Sequence, residues 1–232
     1  MNAVEIKVLS THAVMEVLNG LGPPFERASG HRLSVSYDPA NVIKRQIEGG
    51  VCFDVAIVTK PLIDDLAEKG AILPDSRIDI GRSGLGVVVR KGAPKPNIET
   101  PEDFKHALLA AVSVVRSRDG TSGLYFETLL ERLGIAHEIR GKTKLGGSGR
   151  IAELVASGKA DLAVQQIPEL LPVTGVEFVG PLPMELQLYT TFSAGIGSLC
   201  EELEAAKAFV NCLTAASALP LFQAKGLEPM RR

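Results

Sequence analysis

Ser10-Thr11-His12, Asn41, Thr59-Lys60, Arg118 with Ser122, Ser148-Gly149-Arg150, Gln165 and Tyr189 are the side chains in this chain suited to chemistry, and the chemistry is that of holding an anion. Hydroxyls, amides and an imidazole donate hydrogen bonds, lysine offers a compact charge, and arginine a planar fork that matches a carboxylate. Residues 112–134, VSVVRSRDGTSGLYFETLLERLG, show the arrangement most fully. They read as a buried strand over 112–115, a polar turn over 116–121 and a helix over 122–133. Backbone N–H groups at a helix start lack intrahelical partners and lie at the positive end of the dipole, so they attract anions. Arg116 and Arg118 are separated by one residue, so only one of them faces the ligand. Arg118 is the choice because it is nearer the helix start; its alternative is a structural pair with Asp119.

The other candidates carry alternatives of their own. Ser10 or Thr11 could simply cap a helix. His12 is the side-chain type that titrates nearest neutrality, which suits it to act as a base in proton transfer. Lys60 follows an apolar run and either meets a carboxylate or is solvated. Gly146-Gly147-Ser148-Gly149-Arg150 resembles a phosphate cradle but lacks the Lys-Ser/Thr ending of a nucleotide loop, so the reading is a small-anion nest with Arg150 as a second clamp. Gln165 ends a buried run, Arg82 faces either ligand or solvent, and Tyr189 either touches ligand or packs in the core. The four histidines, at 12, 31, 106 and 137, have no helical i,i+4 pairing and no neighbouring cysteine, so no metal is expected. No G-x-S-x-G elbow is present, and Ser10 and His12 lie too close along one turn for a hydrolase triad. No cofactor is expected.

Composition narrows the classes further. With 45% hydrophobic and 22% charged residues, the 232-residue chain is ordinary for a globular protein of one large domain or two of about 100 residues. A net charge of −2 gives nucleic-acid binding no support, and 5% aromatics with no Trp disfavours stacking platforms. Cys52, Cys200 and Cys212 form neither a disulfide framework nor a zinc pattern and are expected to be mostly buried free thiols. No apolar run approaches the roughly 18 residues that span a membrane, so no membrane insertion is expected. The N-terminus lacks a signal-peptide pattern. The expected location is the cytoplasm as the sequence stands, or the periplasm if a signal has been removed.

The elements that must position these residues alternate. Strands are expected at 5–9, 32–37, 54–58, 84–90, 112–115, 161–165, 176–179 and 186–192, with 138–140 a further candidate. Helices are expected at 13–21, 41–49, 61–69, 104–111, 122–133, 150–157, 167–171 and 203–216, with a last one beginning at 220. Pro23-Pro24 should stop the first helix or prolong it irregularly. Thr100, followed by Pro101 and Asp103, looks like an N-cap. DVAIV, at 54–58, is compact enough to be buried on both faces of a parallel sheet. A twofold β-α-β-α-β-α order predicts mostly parallel sheets with helices on both faces, and ligands in such sheets sit beyond the carboxyl ends of the strands.

This layout resembles the type II periplasmic binding protein fold, and within it the molybdate-binding family of ABC transporter receptors. The similar segments are RQIEGG followed by DVAIV, GLGVVVRKGAPKPNIETPEDF, TSGLYFETLLERLG and the closing EAAKAFVNCLTAASALPLFQAKGLEP. The resemblance implies two lobes, 1–84 with 188–232 and 85–187, joined by two crossover strands and closing by a hinge on an anion in a cleft. It implies that hydroxyls and backbone N–H groups hold a tetrahedral oxyanion. Ser10 matches the first-loop serine, Ser122 the third-site helix start, Ser148 or Gly149 the fourth site, and Gln165 a position where that family often has Tyr. The second site departs: Asp38-Pro39-Ala40-Asn41 stands in place of a serine-rich turn, and an Asp there would repel molybdate or sulfate. Thr11-His12 also replaces a smaller, less polar pair.

Lys60, Arg118 and Arg150, with Arg82 where it faces the ligand, suit carboxylates better than metal oxyanions, because each carboxylate takes an Arg or a Lys. The expected ligand is therefore a small organic anion with two or more carboxylates, with phosphate-like or molybdate-like oxyanions second. One expectation is a solute receptor, with an ABC permease as partner if exported, or a cytosolic sensor. The other is an enzyme similar to aconitate isomerase, which is related to this family and moves a proton on a tricarboxylate without a cofactor, with His12 as base. Oligomeric state is not specified.

Overall fold

Every residue of the strand Val55–Thr59 is buried, as its apolar run requires when strands pair on both edges and side chains cover both faces. The structure is a computed structural model and describes residues 3–147 and 151–230. Its strands are Glu5–Ser10 (β1), Arg32–Tyr37 (β2), Val55–Thr59 (β3), Ile78–Ser83 (β4), Leu85–Arg90 (β5), Val114–Ser117 (β6), Thr143–Gly146 (β7), Leu162–Gln166 (β8), Val176–Pro181 (β9), Thr190–Ile196 (β10) and Glu228–Pro229 (β11). Contacts divide the chain into two units, Met1–Arg82 with Thr190–Arg232, and Ser83–Tyr189.

The first unit holds a sheet of order β11-β4-β10-β3-β1-β2. β1 runs parallel to both β2 and β3, whereas β10 is antiparallel to β3 and β11 to β4. Alternate residues of β3 enter different cores. Val55 and Ile57 join Phe209 and Phe222 on one face, and Ala56 and Val58 join Ile43 and Ile63 on the other. The second unit holds a sheet of order β7-β6-β8-β5-β9. β6 is parallel to β7 and β8, and β5 is antiparallel to β8 and β9. Each sheet therefore has a parallel triplet extended by antiparallel strands, which qualifies the expected mostly parallel arrangement. Leu85, Val87, Val114 and Phe126 fill one face of the second sheet, and Val88, Val115 and Ala163 the other.

Several expectations change. Met15–Ser29 runs as one helix through Pro23 and Pro24. Two lost backbone donors are outweighed because Val17 and Leu18 before the prolines and Phe25 after them are buried in a single core. Residues 138–140 are not a strand; they end the helix Ala136–Arg140, whose Ala136 and Ile139 share a core and whose Arg140 bonds Glu127 and Glu131. The strand expected at 112–115 begins at Val114, leaving Val112 82% exposed. The strand expected from 186 begins at Thr190, because Met184–Leu186 forms a 3-10 turn and the Gln187 side chain bonds both the N–H and the carbonyl of Leu85. The cysteines are not mostly buried: Cys52 is exposed, and Cys200 and Cys212 are partly so. The Thr100 cap forms as a full capping box with Asp103. Among the described residues no single helix is long and apolar enough to cross a membrane.

Candidate functional site

In the first unit the parallel triplet ends in three polar turns. After β1, Ser10 is fully buried and its hydroxyl donates to the Thr11 carbonyl at 3.4 Å. The Thr11 N–H reaches the Ile57 carbonyl of β3 at 3.2 Å, which fixes the turn to the neighbouring strand. Neither side chain caps the 3-10 turn His12–Val14 that follows. Thr11 Oγ1 is buried with no hydrogen-bond partner among the described residues, the kind of hydroxyl that calls for a ligand or water. His12 is partly buried and its ring lies 6.1 Å from that of Tyr37, at the end of β2. Burial, and then the charge of Glu16, push the Tyr37 phenol up to about 12, so Tyr37 is a proton-bearing donor at neutral pH.

After β2, Asp38 gives its N–H to the Ser10 carbonyl at 3.1 Å and accepts Gln46 Nε2 at 3.0 Å. That bond draws the Asp38 carboxylate toward the helix Ala40–Glu48, which also carries Asn41 in its first turn. After β3, Thr59 is buried and precedes the helix Lys60–Glu68, again without a side-chain cap. Lys60 is about half exposed, with Nζ 3.6 Å from Asp64. Arg77 Nε lies closer to that same carboxylate, at 2.5 Å, as an ion pair without hydrogen-bond geometry, so Lys60 is the more distant of its two cations. Arg82 pairs with Glu228 at 2.7 Å at the β4–β11 edge.

In the second unit β6 leads into the helix Thr121–Arg132 through a tight turn. Ser117 Oγ accepts the Gly120 N–H at 3.0 Å. A Cβ on Gly123 would stand 1.8 Å from the Ser117 carbonyl, so only glycine lets the helix sit this close to its strand. Ser122 is buried in the first turn. Arg116 turns onto this helix, donating to the carbonyls of Ser117 and Gly123 at 3.1 and 3.3 Å and to Glu127 at 3.0 Å. Arg118 is exposed, and its N–H bonds the Gly146 carbonyl of β7 at 3.1 Å. Ser148, Gly149 and Arg150 lie outside the described residues. At the end of β8, Gln165 and Gln166 are both buried, and Gln165 Nε2 donates to Glu169 at 2.5 Å. Burial pushes the Glu169 carboxyl up to about 8 against the opposing pull of that bond. Tyr189 is 41% exposed, immediately before β10. Among the described residues no cluster of His, Cys, Asp and Glu could hold a metal ion.

Tyr37 and Glu169 escape a reading of the sequence alone. The period-two run ending at Tyr37, and the i,i+4 spacing of Gln165 and Glu169 across a strand-to-helix turn, are the signals that mark them.

Two parallel triplets, each bearing turns of hydroxyl, amide and cationic side chains, are the frame on which comparison with known proteins bears. The family model for bacterial extracellular solute-binding proteins matches residues 6–228. The chain belongs to that family. It is a type II solute-binding protein resembling the molybdate-binding receptors. The periplasmic molybdate-binding protein of Azotobacter vinelandii superposes with a TM-score of 0.81 at 20% identity, over 96% of this chain and 98% of that one. The sulfate-binding protein SubI of Mycobacterium tuberculosis superposes at 0.78 and 20% identity, over 98% and 87%. At these identities the likeness concerns the fold. An aconitate isomerase from a Pseudomonas species is 31% identical over 231 residues, 97% of this chain and 88% of that protein.

Proposed function

We propose that the chain binds a small organic anion bearing two or more carboxylates, as a receptor serving an ABC transporter and working outside the cytoplasm. Family membership supports receptor and location. The observation that carries the ligand class is that each unit bears a cation beyond its parallel strands, half-exposed Lys60 after β3 in the first and exposed Arg118 after β6 in the second. Charged side chains of this kind match carboxylates with hydrogen-bonded ion pairs. Buried Ser10, Thr11, Thr59 and Ser122, with the amides of Asn41 and Gln165, supply neutral donors. Ser148, Gly149, Arg150 and Tyr189 belong to the same proposal.

A second reading is favoured by the aconitate isomerase relative and by the His12–Tyr37 pair. In it, His12 takes a proton from one carbon of the bound tricarboxylate, the double bond shifts, and a proton returns at another carbon. Nothing is oxidised or consumed. Tyr37, held in its protonated form, would donate to a carboxylate oxygen.

Incubation with cis- and trans-aconitate in heavy water, followed by NMR, separates the readings. A thermal shift without deuterium incorporation supports the receptor. Isomerisation or exchange that disappears in His12→Ala supports the enzyme. A response to molybdate alone overturns the carboxylate assignment.

A further inference from the structure

The helix Ile167–Leu170 places Glu169 one turn beyond Gln165, and their side chains meet at 2.5 Å. The helix packs on β5 and β8. β8 carries no charged residue, and the one charge on β5, Arg90, lies at its exposed far end, while Gly86 is the β5 residue opposite Gln165. Burial and the Gln165 amide are what act on the Glu169 carboxyl, and they leave it titrating near 8. A planar amide that gives one end to Glu169 turns the other end away from it. With a carboxylate as partner, the NH2 must face Glu169 and the carbonyl oxygen faces away, which is the wrong polarity for an anion. With a carboxylic acid as partner, the O–H can donate to the carbonyl oxygen, and the NH2 then faces away. Amide O and N occupy nearly interchangeable positions, so the same short contact serves both forms.

We propose that Glu169 is a proton-carrying positioning residue: as the neutral acid it holds the Gln165 carbonyl oxygen and turns the amide NH2 toward the bound anion. Anion binding is then linked to one proton on Glu169, and raising the pH releases the anion. This rests on the function proposed above, in which Gln165 contacts the ligand.

Two measurements test it. The first needs no ligand. Infrared difference spectra should show a protonated-carboxyl C=O band at pH 7 that vanishes by pH 10 and is missing in Glu169→Gln; its absence at pH 7 overturns the proposal. The second is calorimetric titration with trans-aconitate at pH 7 and pH 9. Affinity should fall about tenfold across this range, with close to one proton taken up per anion bound at pH 9. Glu169→Gln, whose amide always can donate, should bind at pH 7 within about twofold of wild type and change little with pH. Gln165→Leu should lose both affinity and pH dependence. Binding that is flat with pH in the wild type, or a pH profile that survives in Glu169→Gln, contradicts the role of Glu169 and leaves the proposed function standing. No binding of trans-aconitate at pH 7, with a protonated Glu169 in the infrared, contradicts the carboxylate function instead.

Discussion

β3 of the first unit and β8 of the second begin alike and end differently. An Asp precedes each. Asp54 accepts the N–H of Lys7 at 2.7 Å, and Asp161 accepts those of Val112 and Ser113 at 2.9 and 3.0 Å. Both strands are buried at every residue, and both lead into a helix with proline in its first turn, Pro61 or Pro168. Beyond this shared frame, β3 delivers Thr59 and a half-exposed Lys60, while β8 delivers two buried amides and a carboxyl raised by burial. The frame is a matter of backbone hydrogen bonds and apolar packing, and it leaves only the last strand residues and the first helical turn for ligand chemistry. One unit uses that freedom for open charge and the other for polarity held inside.

Breaking the frame should cost more than changing the chemistry it carries. Gly123→Ala should have the largest effect, roughly 3 kcal/mol or more of lost stability in urea denaturation, because a Cβ cannot fit against the Ser117 carbonyl. Arg116→Ala should cost roughly 2 kcal/mol, since it takes one of two arginines from Glu127, leaving Arg140, and removes the guanidinium donor from two carbonyls. Arg118→Ala, two residues along, should change stability by less than about 0.5 kcal/mol and alter anion binding instead. Equal stability losses for the two arginines would contradict the division between helix anchor and ligand contact.

The paired aspartates refine the comparison between units. Asp161→Ala should cost about 2 kcal/mol and Asp54→Ala about 1, in proportion to the N–H groups each accepts. Chemical denaturation of both variants checks the ratio. Similar in size to the Asp54 effect, but dependent on pH, is the effect of Glu169 on stability. Its folded carboxyl titrates near 8, above the ordinary 4.5, so the folded state favours the proton. Its contribution is fully present below pH 4.5, declines as pH rises from there to 8, and is lost above 8. Glu169→Gln should therefore be the more stable protein at pH 9, by roughly 1 kcal/mol after allowance for partial exposure, and the difference should shrink toward pH 5. Melting temperatures across that range supply the test.

Much of the fold was legible because its signals are local. DVAIV reads as a buried strand since nothing in it needs water, and Thr100-Pro101-Glu102-Asp103 reads as a capping box since its bonds close within four residues. The errors fall where a distant partner decides. Leu186, Leu188 and Phe192 alternate like a strand, yet the Gln187 amide occupies the backbone of Leu85 from the side and keeps 186–189 out of the ladder. Glu138-Ile139-Arg140 looks too short for a helix until Arg140 meets two glutamates on another helix. The same distinction governs the site. Turns at strand ends were predictable from topology, but in the sequence only nearness to the helix start favoured Arg118 over Arg116, and the anchoring of Arg116 depends on Glu127, eleven residues along. The Asp54 and Asp161 correspondence also went unseen, because VAIVTKP and LAVQQIP share burial and a proline more than identity.

The central proposal is that the cations at the ends of β3 and β6, Lys60 and Arg118, suit this solute-binding protein to organic polyanions. Calorimetric titration of the intact chain with trans-aconitate and with molybdate, in wild type, Lys60→Ala and Arg118→Ala, tests it most directly. Wild type should prefer trans-aconitate by tenfold or more, about 1.4 kcal/mol, with one anion per chain, and each substitution should erode that preference. Tighter binding of molybdate, unchanged by either substitution, would contradict the account.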